Sequence, residues 1–213
     1  MSANRRTRAQ RARLQCPRAG QRPRHGRAIR DRFSQQHSES VDDGWGSLDQ
    51  QANEDTLLPA TRIIEERVRS ILSNNDSPDI SFDLSINPYR GCEHGCIYCF
   101  ARLTHSYLNM SPGLDFETRI IAKVNAAERL RESFASRSYE PRLLNIGSVT
   151  DAYQPAGRKL GITRAVIEVL AECAHPFSLV SKSSGVERDL DLIAPMAQRN
   201  LAAVYLSVTS LDP

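Results

Sequence analysis

Phe82-Asp83-Leu84-Ser85-Ile86-Asn87-Pro88 runs straight into Tyr89-Arg90-Gly91-Cys92-Glu93-His94-Gly95-Cys96-Ile97-Tyr98-Cys99. In the first half, Phe82, Leu84 and Ile86 alternate with Asp83 and Ser85, the period of two of a strand. Asn87-Pro88 ends it. In the second half, three thiols fall within eight residues as Cys-x3-Cys-x2-Cys, and Tyr98 directly precedes the last. Thiolates are soft ligands that favour iron–sulfur clusters and zinc. Three of them with no nearby fourth leave one coordination position open. That suits a [4Fe–4S] cluster held by Cys92, Cys96 and Cys99, with one iron free for a substrate or cofactor. The competing reading is zinc with His94 as fourth ligand. Structural zinc sites usually join separated ligand pairs, and four ligands packed this closely would struggle to close a tetrahedron. The loop follows the C-terminal end of a strand, where (β/α) barrels build their active faces.

Downstream, the pattern repeats. A short helix follows Cys99, and Arg119–Val124 reads as a brief strand. Asn125 and Glu128 have the spacing of a capping box opening a helix that continues through Ala126, Ala127, Leu130 and Phe134. Leu143–Val149 is a compact apolar strand ending at Thr150-Asp151. A helix over about 163–174, a strand over Phe177–Ser181, a helix over about 186–198 and a strand over Ala202–Val208 complete the order. Strands alternating with helices of ~10–14 residues predict a parallel sheet with right-handed crossovers. Upstream, Ile63, Ile64, Val68, Ile71 and Leu72 have near-helical spacing, which predicts a helical lead-in over residues 57–80.

Residues 1–56 lack hydrophobic periodicity and are expected to be a disordered, Arg-rich tail. Residues 1–32 hold eleven arginines and one acid, a net +10 against +3 for the whole chain, which leaves −7 for the remainder. Such a tail suits nucleic-acid phosphates by counterion release, or else is simply solvated. Trp45 stands in a polar, acidic setting and is a candidate for docking on the body. Five cysteines, an odd number with three clustered, do not form a disulfide framework, and a reducing cytoplasm fits them. Cys16 reads as a free thiol of the tail, and Cys173 as a small buried hydrophobe. No run approaches the ~18 apolar residues of a membrane span, so no membrane partner is expected.

The run Asn87 to Arg102, including the aromatic before the third cysteine, resembles the radical S-adenosylmethionine (SAM) superfamily. The longer stretch from Ser85, with Ser111-Pro112-Gly113-Leu114-Asp115-Phe116-Glu117-Thr118, looks like a bacterial branch related to spore photoproduct lyase. The resemblance implies an α/β fold, a partial radical SAM (β/α) barrel, with residues 81–213 forming its N-terminal part of about four βα units. It implies that the free iron chelates SAM. One electron, from a flavodoxin- or ferredoxin-type donor, would then cleave SAM to a 5′-deoxyadenosyl radical. By the same resemblance, Tyr98 lies near the adenine and Thr150-Asp151 helps hold the SAM amino group. Lys182 pairs with its carboxylate, and Ser207 donates to its ribose or carboxylate. Arg90 and His94 either tune the cluster or are solvated loop residues. Proline is expected by resemblance where this chain has Leu103 and Ala152, and its loss loosens a loop.

Phe82 to Pro213 is 132 residues, whereas a full (β/α)8 barrel takes ~200–250. The expectation is therefore a chain cut short after its fourth unit. The substrate is open, and a nucleic acid is one candidate. A non-catalytic, cluster- or zinc-bearing nucleic-acid-binding protein is the alternative, and an inactive remnant a third.

Overall fold

The computed structural model describes residues 60–208. The Arg-rich tail, Cys16, Trp45 and Thr209 lie outside the described residues. Eight strands occur among those described: β1 (Arg62–Glu66), β2 (Leu72–Asn74), β3 (Leu84–Ile86), β4 (Tyr89–Arg90), β5 (Arg119–Lys123), β6 (Leu144–Ile146), β7 (Phe177–Ser181) and β8 (Ala202–Leu206). The helices are α1 (Leu114–Thr118), α2 (Ala126–Ala135), α3 (Gly157–Leu160), α4 (Ile162–Glu172) and α5 (Leu190–Gln198), with 3₁₀ segments at Phe100–Leu108 and Ser184–Asp189. The fold is mixed α/β with two sheets.

The larger sheet has the order β2-β3-β6-β7-β8. Strands β3, β6, β7 and β8 are parallel neighbours, and β2 adds an antiparallel edge beside β3. β6 is buried along its whole length, as expected of a parallel strand covered on both faces. Ile86, Leu144, Ile146, Phe177 and Leu179 of this sheet join Leu130 of α2, Val166, Ile167 and Leu170 of α4, and Ile193 and Met196 of α5 in one core. Burying each such side chain contributes roughly 1.5–3 kcal/mol against the entropy of ordering the chain. β8 differs, because Tyr205 and Leu206 are exposed. No helix among the described residues is long and apolar enough to cross a membrane.

The second sheet has the order β1-β5-β4, and it corrects the reading of the lead-in. Instead of a helix, Arg62–Glu66 is a strand lying parallel to β5, with Ile63 opposite Ile120 and Ile64 opposite Ile121. Its β-branched pair is stiff at χ1 and packs well on a pleated surface, so strand pairing outweighs a weak helical period. Asn125 departs from the expected cap. It stands at the N-cap of α2 without a side-chain capping bond. Its amide instead accepts from Val68 N–H at 2.8 Å and donates to Val68 C=O at 2.9 Å, fixing the β1–β2 connection. Cys173 is exposed rather than buried, because it falls just past the last turn of α4.

Candidate functional site

The strand β3 delivers the chain to Asn87, whose side chain begins the site. Its Oδ1 accepts from Val149 N–H at 2.9 Å and Thr150 N–H at 3.4 Å, and its Nδ2 donates to Ser148 Oγ at 3.3 Å. The end of β3 is thereby fastened to the end of β6. The short strand β4 then pairs antiparallel with β5, a detour that the alternation of residues 82–86 did not signal. At Gly91 the backbone turns to φ +83°. A Cβ there would sit 2.9 Å from Phe116 O and 3.0 Å from Arg119 O, so the turn requires glycine. Cys92 N–H donates to Phe116 O at 2.8 Å.

Three further side chains hold the cysteine loop. Glu93 accepts from Ala156 N–H, and Gln154, wholly buried, accepts from Glu93 N–H at 3.0 Å and donates to Gly91 O at 3.2 Å. Arg102 donates to Cys96 O at 3.0 Å and to the carbonyls of Pro112 and Gly113, and pairs with buried Glu117. A rigid planar fork reaches several acceptors at once, which lysine does not. No local sequence signal marks the roles of Arg102, Glu117 or Gln154. The arginine and acid sit fifteen residues apart, and only the fold brings them together.

A cavity of about 210 Å³ opens above these elements. Cys92, Cys96, Cys99, Tyr98, Thr150, Asp151, Lys182 and Ser207 all line it. The eight residues singled out from sequence come from four separate segments, after β4, β6, β7 and β8. Cys92 is buried in a small apolar cluster with Ala101 and Phe116, while Cys96 and Cys99 are half-buried. Burial pushes the Cys92 thiol up to about 12, so binding of a metal centre there is coupled to release of its proton.

The polar residues divide into two groups. Asp151 is buried, and its carboxylate is already surrounded. It accepts from Tyr153 N–H and Ser181 Oγ at 2.8 Å and from Lys182 N–H at 2.7 Å. His94 Nε2 stands 3.2 Å from it, an ion-pair distance without hydrogen-bond alignment. Burial alone would push this carboxyl up; the His94 ring and the N–H groups of Lys182 and Tyr153 outweigh it and hold it below the usual range. Thr150 is buried too and donates Oγ1–H to Tyr89 O at 2.9 Å. Both residues therefore position loops. His94 faces Asp151 and is not a solvated loop residue. Arg90 stands 3.6 Å from Glu66.

Tyr98, Lys182 and Ser207 form the second group, at the exposed mouth. Lys182 Nζ donates to Ser207 Oγ at 2.7 Å and lies 5.6 Å from the centre of the Tyr98 ring. The ring is exposed and does not pack beneath the loop. Ser207 N–H donates to Ser181 O at 2.9 Å, which sets the Lys182–Ser207 register. Ala152 is buried, and its carbonyl accepts from Thr163 Oγ1 at 2.6 Å, so this loop is tied despite lacking the expected proline.

The donor set around this cavity is three thiols with His94 beside them. One zinc ion needs its ligands to converge at ~2.0–2.3 Å. Among the described residues, no three His, Cys, Asp or Glu side chains are grouped in that way. A cluster would take the three thiolates on separate irons.

No protein-family profile matches the chain. An uncharacterised protein of Mycobacterium tuberculosis is 39% identical over 134 residues, 63% of this chain and 39% of its own length. An uncharacterised protein of Methanocaldococcus jannaschii is 28% identical over 107 residues, 50% of this chain and 38% of its own. The chain thus spans about two fifths of the length of the curated relatives it matches. Among solved structures, a mutant spore photoproduct lyase aligns with a TM-score of 0.48 at 18% identity, over 68% of this chain and 39% of that one.

Proposed function

We propose that this chain carries the cluster- and SAM-binding part of a radical SAM enzyme, built on the first units of a partial (β/α) barrel and related to spore photoproduct lyase. The observation that carries this reading is the convergence of residues from four strand ends on one cavity that holds all three cysteines. Cys92, Cys96 and Cys99 would hold a [4Fe–4S] cluster. When bound with SAM, the cluster supplies the electron that cleaves it to a 5′-deoxyadenosyl radical acting on the substrate. An external donor of flavodoxin or ferredoxin type would recharge it.

The chain's own contribution is positional and electrostatic. Lys182 presents a cation at the mouth, held by Ser207 and the Tyr98 face, and suits a carboxylate. Asp151 keeps the ends of β6 and β7 and His94 in register, so the pocket is formed in advance. Thr150 fixes its loop to Tyr89. Both are assigned as positioning residues rather than direct contacts to the SAM amino group.

The test is the electron paramagnetic resonance spectrum of the anaerobically reconstituted, reduced chain. A cluster signal that changes on adding SAM supports the reading. Lys182→Ala should keep the signal but weaken its response to SAM. A chain that retains zinc instead of iron, or whose signal ignores SAM, contradicts it.

A further inference from the structure

A second cavity, of about 180 Å³, is built from segments that also follow β6 and β7. Its walls include Gly157, Arg158, Gly161, Arg164, Arg188 and Asp189. The one acid among these is already met. Asp189 accepts from Tyr153 OH at 2.8 Å and from Arg164 Nη1 at 3.0 Å, and Arg164 also binds Asp191 at 2.7 Å. Among the described residues, neither Arg158 nor Arg188 has an acid partner. Arg188, an exposed residue lining the cavity, donates Nε to Gly185 O at 3.2 Å and lies 5.8 Å from the Tyr153 ring centre.

The backbone adds donors of the same sign. Gly161 stands at φ +63°, and a Cβ there would meet nothing within 4 Å. It begins α4 with no side-chain cap, so the first N–H groups of that helix have no side-chain acceptor. Behind Gly157 lies the buried Tyr89 side chain, its hydroxyl 3.1 Å from the position of a Gly157 Cβ. Two exposed guanidinium groups without acid partners, an uncapped helix start and a glycine-lined space are together suited to a phosphate group, which accepts on several oxygens at once. Tyr153 joins the two cavities, since its N–H binds the Asp151 carboxylate and its OH binds Asp189.

We infer that this second cavity binds a phosphate group of the substrate, beside the cavity of the three cysteines. The placement next to the reacting part of the substrate rests on the radical SAM reading; the phosphate site itself does not.

Calorimetric titration of the full chain tests it, with inorganic phosphate, a nucleoside 5′-monophosphate, its parent nucleoside and a short single-stranded oligonucleotide as probes. The monophosphate should bind and the nucleoside should not. An Arg158→Ala/Arg188→Ala double variant should lose roughly tenfold or more in affinity. Arg158→Lys/Arg188→Lys should recover part of it, and Lys159→Ala should behave as the unmodified chain. An oligonucleotide that outbinds the monophosphate and is equally sensitive to the two arginines identifies a nucleic-acid backbone. The reverse order identifies a small phosphorylated substrate. Equal binding of nucleoside and monophosphate, or an unchanged double variant, overturns the inference. Iron content after reconstitution separates the two claims. Phosphate binding lost with iron retained overturns only the phosphate site, and phosphate binding without iron overturns only the cluster.

Discussion

Gly91 and Gly161 both hold left-handed backbone, yet their surroundings differ. Around Gly161 an added Cβ finds open space, so Gly161→Ala meets only the conformational cost of about 1–2 kcal/mol. At Gly91 the same atom meets two backbone carbonyls at 2.9 and 3.0 Å, neither of which can swing away. Gly91→Ala should therefore cost clearly more, about 2–4 kcal/mol, with the excess arising from displaced backbone. Equilibrium denaturation compares the two, and equal losses would count against this account of the cysteine loop. Arg102 gives a second prediction at this scale. Arg102→Lys keeps the charge but loses the fork that reaches Cys96, Pro112 and Gly113. It should retain less iron per chain after reconstitution, with an unchanged circular dichroism spectrum; full iron retention would show that the loop does not depend on this brace. The meeting of the cysteines, Lys182 and Ser207 in one cavity was legible, because residue type and place at a strand end suffice to group them. The contacts of Asp151 within the protein were not. The resemblance suggested an ammonium partner; within the protein, three donors from two segments already reach its carboxylate, and His94 faces it.

The second sheet is where reading by element failed and where it can be tested. Arg62-Ile63-Ile64 and Arg119-Ile120-Ile121 are like tripeptides paired in register, yet they are separated by more than fifty residues. Local periodicity carries no information about such a partner, so the first run read as helix and only the second as strand. The β3, β6, β7 and β8 strands were legible because each is a compact apolar or alternating run bounded by turn residues. Within the second sheet, β5 buries Lys123. Burial, aided by Arg90 and opposed by Glu66, lowers its ammonium to about 8. Between pH about 8 and the ordinary lysine value of 10.5, the unfolded chain binds more protons than the folded one. Stability therefore rises with pH across that window, and below it the buried charge opposes folding. Lys123→Met should raise stability at neutral pH by about 1–3 kcal/mol and abolish the rise between pH 8 and 10. Denaturation midpoints measured across that range check it, and a destabilised variant that keeps the slope would contradict it.

At the scale of the whole molecule, charge is divided unevenly: residues 1–32 carry +10 and the remainder −7. The tail is then a further source of salt-sensitive attraction for nucleic acid, separate from the arginines of the body cavity. Deleting residues 1–32 should weaken oligonucleotide binding and flatten its dependence on salt; binding unchanged by the deletion would remove the tail as the contact. The cavity makes a separate claim, because it depends on four strand ends arriving together. That convergence was foreseeable once each motif was seen to follow a strand. The closing contacts by Gln154, Glu93 and Asn87 were not, since each spans about sixty residues of sequence. The central claim is that this arrangement binds cluster and SAM in working register. Its most direct test is to reconstitute the full chain with iron and sulfide without oxygen, add dithionite and SAM, and measure 5′-deoxyadenosine by chromatography. The account predicts its formation by the unmodified chain and its loss in Cys92→Ala, Cys96→Ala and Cys99→Ala. A chain that holds its iron and leaves SAM intact would contradict it.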